Sequence, residues 1–214
     1  MLRFPIVLLT LIGALYCSAA SGQEGGEPKI RKPKVDLPVA DRAWGNPVAA
    51  VYTHGWWFKG SERGNPDAIR PRVTVAVWAD GHIVWSDDSI EGGPPYREAT
   101  LEPARVEELL KDLEGRGVFA DPGPRRYFPP DSNWTAIVVL DQGKYLNMQL
   151  WHLMDRDPER EWISKNQPEK YEEYQNFRRV WAEVKGALLE LIPREQGKPS
   201  DVSFTAERVS VEQP

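Results

Sequence analysis

The stretch VTVAVWADGHIVWS, residues 73–86, decides how the fold is read. Two β-branched, aromatic-rich runs flank Asp80-Gly81. An Asp-Gly pair in that setting is the strongest short-range hairpin signal, because a two-residue primed turn needs positive φ at both central positions. Taking Asp80 and Gly81 as the loop pairs Val77 with Val84 and Ala76 with Trp85. Val73, Val75, Val77, Ala79 and Val84 then share one face, and Ala76, Trp78, Ile83 and Trp85 the other. Both faces are apolar, which predicts a hairpin covered on both sides or offering one side to a partner.

Working outward, residues 48–58 are β-prone and aromatic, and residues 60–71 supply turn chemistry. Residues 96–100 read as a further strand. Pro103 then opens a helix whose stripe is Val106, Leu109, Leu110 and Leu113, ending at Gly115 or Gly117, with Phe119 expected to enter the core just after it. A second hairpin is expected around Gln142-Gly143, with Ile137, Val139, Leu146, Met148 and Leu150 on its core face and Val138, Leu140, Tyr145, Asn147 and Gln149 on the other. The charged residues 155–168 read as a solvated loop. The longest helix follows at 169–191, where Tyr174, Phe177, Trp181, Val184 and Leu188 step by three and four. The expected fold class is α+β: an antiparallel sheet built from two hairpins plus flanking strands, packed by helices at about 103–114 and 169–191. The order hairpin, helix, hairpin, helix also raises a duplication, with Gly81 and Gly143 at matching points, although turn chemistry alone produces the same match.

Ahead of this domain, Arg3, the apolar residues 4–16 and the small residues 18–22 have the form of a secretory signal peptide, with cleavage after Ala20 or Gly22. Residues 23–47 are rich in Gly, Pro, Lys and Glu and are expected to be a flexible tether. The expected organisation is therefore leader 1–22, tether 23–47, one domain 48–192, and a tail 193–214 in which Val202, Phe204 and Ala206 alternate as an edge strand would. The single cysteine, Cys17, falls in the leader, and bulky Tyr16 before it disfavours lipid attachment. A mature chain without cysteine excludes disulfides, thiolate metal sites and cysteine nucleophiles.

The formal charge is −5, and losing Arg3 with the leader makes it −6. Lys and Arg are interspersed with Asp and Glu rather than gathered in a stripe, so nucleic acid is not the expected partner. No second long apolar run follows the leader, so no membrane span is expected in the mature chain.

His54, His82 and His152 are the candidates for acid, base or metal chemistry, with Asp80 and Asp87 as neighbouring carboxylates. None of the histidines sits at metal-ligand spacing, so no metal and no cofactor is read from the sequence. The acids Asp155, Asp157, Glu159 and Glu161 depart from a calcium loop, since Arg160 stands at the sixth position and Asn166 at the twelfth. Nucleotide, serine-nucleophile and zinc-helix motifs are absent. Asn133-Trp134-Thr135 matches a glycosylation acceptor. There are nine tryptophans. Trp56, Trp57, Trp78 and Trp85 are close in sequence and are the candidate binding surface, because tryptophan planes suit sugar rings and protein anchors.

From Val73 onward, VAVWADGHIVWS followed by YREATLEPARVEELLKDLEGRGVF resembles uncharacterised secreted or lipid-anchored bacterial domains. These share the strand, Asp-Gly turn, strand, Tyr-bearing strand and Pro-started helix ending near a Gly-x-Phe. The resemblance implies an envelope or extracellular setting and transfers no functional residue. The sequence thus points to a secreted, periplasmic or envelope-associated non-catalytic binding or structural module whose partner is an envelope protein or a polysaccharide. The alternative is a hydrolase, with or without the help of a metal, built on the histidines and on Asp80 and Asp87.

Overall fold

The computed structural model describes residues 34–54, 70–120, 125–127, 134–151 and 159–211. Its strands are β1 (Lys34–Ala40), β2 (Ala49–His54), β3 (Arg72–Val77), β4 (His82–Ser86), β5 (Tyr96–Thr100), β6 (Arg125–Tyr127), β7 (Trp134–Asp141), β8 (Lys144–Trp151), β9 (Lys198–Ser200) and β10 (Phe204–Ser210). Its helices are α1 (Pro103–Gly115), α2 (Glu159–Asn166) and α3 (Tyr171–Glu190), with a single 3-10 turn leading into α3. Eight strands form one sheet in the order β6-β8-β7-β2-β3-β4-β5-β9, and β1 pairs with β10 as a separate two-stranded ribbon. All pairings are antiparallel except β6 with β8. The fold is α+β, as the sequence predicts.

The second hairpin has the expected register. Ile137 faces Met148, Val139 faces Leu146 and Leu140 faces Tyr145, around a turn in which Gln142 has φ 43° and Gly143 φ 85°. The first hairpin differs by one residue. Val77 faces Ile83 and Val75 faces Trp85, and the loop has three residues, Ala79 to Gly81, closed by bonds from the Trp78 amide to His82 O and from the Gly81 amide to Trp78 O. Only Gly81 has positive φ, 91°, while Asp80 turns its carboxylate onto the His82 amide. This is the three-residue hairpin loop with a left-handed glycine rather than the two-residue primed turn. A second displacement comes from β2, where Val51 faces Val75 but Tyr52 faces Val73, which leaves Thr74 as an extra residue on β3.

These two irregularities redistribute the side chains. Val75, Val77, Ile83 and Trp85 lie on the face covered by α1 and α3. Val73, Ala76, Trp78 and Val84 lie on the opposite face, under the β1–β10 ribbon. A one-residue change of register exchanges the two faces of a strand, so Val84 and Trp85 take the faces opposite to those expected. The doubly apolar character of the hairpin has its cause here: each side has its own cover.

On the helical side, α1 contributes Val106, Leu109 and Leu113, and α3 contributes Phe177, Trp181, Val184 and Leu188. Pro103 starts α1, and Gly117, at φ 70°, lets Val118 donate to Leu113 O and enter the core. Val118 takes the position expected of Phe119, which packs half-buried at the margin. The charged stretch expected as a loop is helical over α2, which buries Ile163 and carries the Glu161–Lys165 pair one turn apart.

The ribbon is the larger departure. Residues 34–40, expected within the tether, alternate Val35, Leu37 and Val39 and pair with residues 204–210, expected within the tail. Leu37 and Phe204 are 1 and 2 % exposed. Pairing is possible because each segment gains a partner that is remote in sequence, and neither buries enough surface alone. Asp41 locks the end of the ribbon, accepting from both the amide and the hydroxyl of Ser203, and those bonds hold its carboxyl below the usual carboxylate range. β9, from the same tail, adds to the edge of the main sheet beside β5. No described helix is long and apolar enough to cross a membrane.

Candidate functional site

His82 follows the first turn and points its Nδ1 at Asp80 Oδ2, 3.1 Å away, while Trp44 stacks on its other side at 4.9 Å between ring centroids. Asp80 also accepts the His82 amide, the main cause of its lowered pKa. Both groups of this pair are committed to shaping a turn. Trp44 in turn meets Trp78 edge-on at 5.1 Å, and Trp78 donates Nε1 to Gly45 O. The segment just after β1 thus holds Trp78 in place.

His54 ends β2 at the other end of the sheet, opposite Trp134, with which it packs at 5.1 Å. Its Nδ1 is buried with no hydrogen-bond partner among the described residues, and burial pulls its pKa down against the weaker opposing pull of Asp36. From the strand registers, His54 and His82 lie roughly 20 Å apart, six residues along and two strands across. Zinc–nitrogen bonds are about 2 Å, so these two rings cannot share an ion. Asp87 sits at the opposite end of β4 from His82 and accepts from Arg97 Nε at 2.7 Å. The structure therefore does not bring His54, His82, Asp80 and Asp87 to one centre. Among the described residues no group of three or more His, Cys, Asp or Glu is placed to hold a metal. His152, Trp56 and Trp57 lie outside the described residues.

The two described tryptophans of the candidate surface are core residues, Trp78 at 1 % and Trp85 at 4 % exposure. They stand on opposite faces of the sheet and cannot form one contact surface. Trp85 nevertheless has a second part to play. Its ring lies under Gly197, where an added Cβ would meet ring carbons at 2.3 and 2.5 Å, and it forms the floor of a cavity of about 280 Å³. Thr74 and Ser86 line the cavity from the sheet, Asp87 and Ser89 from the β4–β5 loop, and Arg97 from β5. Leu189, Ile192 and Arg194 line it from the end of α3.

The β4–β5 loop, residues 87–95, is fixed by a dense set of bonds. Asp88 Oδ1 accepts the amides of Ile90 and Glu91, and Asp88 O accepts that of Gly92. Ser86 Oγ donates to Gly93 O and accepts from the Asp88 amide. Arg72 donates twice to Gly92 O, and the Gly93 amide reaches Val73 O. Gly92 has φ 66° and a Cβ there would lie 2.8 Å from Arg72 O, so only glycine allows this approach of loop to strand. The loop presents Ile90 at 68 % exposure, the one exposed large hydrophobic among the described residues.

Sequence reading did not find this site. Its one local sign is an isoleucine alone among turn residues in Asp87-Asp88-Ser89-Ile90-Glu91-Gly92-Gly93. Arg97 and Arg194 are far apart in sequence and nothing in the chain marks them as neighbours. No family model, no curated protein and no solved structure matches this chain.

Proposed function

We propose that this chain is a non-catalytic binding module of the cell envelope or extracellular space, delivered there by the leader at residues 1–22, with its contact surface on the β4–β5 loop. The carrying observation is Ile90, held out to solvent on a loop whose backbone is already tied down. A pre-ordered loop loses little conformational entropy on association, so an apolar tip on it is a good anchor. An aliphatic tip suits a protein partner better than a polysaccharide, which would favour a flat aromatic plane. The resemblance to secreted bacterial domains agrees with this setting. Of the residues named for the hydrolase alternative, His82 and Asp80 meet, while His54 and Asp87 lie apart from them, so that reading has one acid–imidazole pair among the described residues and no larger centre.

Photo-cross-linking in the secreting host tests the reading, with the reactive group placed at position 90 and, as control, at Thr205 on the exposed face of β10. A discrete adduct from position 90 that is absent from position 205 is the expected result. No adduct from position 90, or the same adduct from both, overturns the proposal.

A further inference from the structure

We infer that the cavity floored by Trp85 binds a monocarboxylate with an apolar body, either a small free acid or the C-terminal carboxylate of a peptide. The placement deepens the binding-module reading and rests on it only for the neighbouring Ile90; the chemistry is argued from the cavity alone.

Charge comes first. Two arginines, Arg97 and Arg194, and one acid, Asp87, are among the residues that line the space. Asp87 is already engaged by Arg97 Nε at 2.7 Å, which aligns that guanidinium, and Arg97 Nη1 makes a long 3.4 Å contact to Gly197 O. Its remaining N–H groups are left for a ligand. Arg194 has no side-chain partner among the described residues, so all five of its donors are available. The end of α3 opposes an anion with about half a negative charge, but its Leu189 carbonyl is occupied by the Ile192 amide. Two cations against one carboxylate and that half-charge leave the site positive by about half a charge, which favours a single negative charge over a second cation. A metal cation would need several oxygen ligands, and the single acid here is already paired.

Shape supplies the rest. The lining is mostly polar, and Trp85, Leu189 and Ile192 supply its apolar part, against which a small hydrocarbon body lies while its carboxylate reaches the arginines. At about 280 Å³ the cavity falls just below the ~300 Å³ at which drug-sized sites begin, which suits one side chain and its carboxylate. Gly197 rests on the Trp85 ring, where no side chain fits, and so holds that ring in place.

The test is calorimetric titration of the purified full chain with 4-methylpentanoate and its amide, and with a short peptide ending in Leu as free acid and as amide. Arg194→Gln serves as the variant, because an exposed arginine without a side-chain partner among the described residues can be replaced without disturbing the fold. Acids are expected to bind and amides to bind at least about tenfold more weakly, with Arg194→Gln reducing acid binding about tenfold. Binding of the small acid alone assigns a metabolite-like ligand, and stronger binding of the peptide acid assigns a protein C-terminus; both support the site. No binding of either acid, equal binding of acid and amide, or an Arg194→Gln variant that binds as well as the parent overturns it. Because the readout uses no partner from the host, its failure is distinct from failure of the cross-linking experiment.

Discussion

His54 shows what burial does to a single titratable group. Its Nδ1 faces no acceptor among the described residues, so protonating the ring would place a charge and an N–H in a partly desolvated position with nothing to receive them. The charge of Asp36 favours the imidazolium, but Asp36 is itself bound by Arg208, and desolvation is the larger effect. The folded-state pKa is therefore depressed below the ordinary ~6.5 of the unfolded chain. A depressed pKa gives stability that is present above about pH 6.5 and is lost as pH falls towards the folded value, because the unfolded state takes up the proton first. Urea midpoints measured from about pH 7.5 to about pH 5.5 should fall more steeply for the parent protein than for His54→Gln. Parallel curves would show that burial at this ring carries no pH dependence. A histidine standing at a strand end gives no hint of this in the sequence, because the partner Trp134 comes from a strand eighty residues later.

At the scale of elements, the two hairpins make a controlled pair. In the β7–β8 turn both central residues have positive φ, and Gln142, at 43°, is the only non-glycine among the described residues to do so. Asparagine tolerates that region better than glutamine because its short side chain bonds locally, so Gln142→Asn should raise stability by about 0.5–1 kcal/mol. Unchanged or lower stability in denaturant unfolding would mean that the turn is held by the strands rather than by its own preference. This hairpin was fully legible: Gln-Gly between two alternating runs, with the apolar set in phase on one face. The Asp80-Gly81 turn was legible only as a turn. Asp80 has a better use for its carboxylate, on the His82 amide and ring, than a two-residue loop would allow, and Gly81 is pinned where a Cβ would stand 2.1 Å from Leu101 O. The third loop residue that results is what moved Trp85 to the helical face. Helices α1 and α3 were legible because their stripes are long and periodic. The charges that made α2 read as a loop are the same ones that line its exposed face.

For the whole molecule, the main question is what belongs to the core. Composition marks residues 23–47 as tether and 193–214 as tail, since each segment taken alone has too few apolar residues to offset its ordering entropy. Composition cannot register that the two meet. Lys34 faces Ser210 and Ala40 faces Phe204, so together they form a layer that covers the second face of the eight-stranded sheet. The candidate cavity escaped the sequence for the same reason, being lined from β3, the β4–β5 loop, β5 and the end of α3. Phe204 tests whether the ribbon is part of one cooperative core or an attachment to it. It is 2 % exposed and meets Tyr96 edge-on at 5.3 Å, and the Tyr96 hydroxyl accepts from the Val73 amide on the next strand but one. Removing the ring leaves a void that the sheet beneath cannot close, because Tyr96 is held by that hydrogen bond. Phe204→Ala should therefore cost about 3–5 kcal/mol of global stability. Far-ultraviolet dichroism and tryptophan fluorescence should lose their signals at one common midpoint. A cost below about 1 kcal/mol, or a separate early transition, would show instead that the ribbon opens without the sheet and that the core ends at the eight strands and their helices.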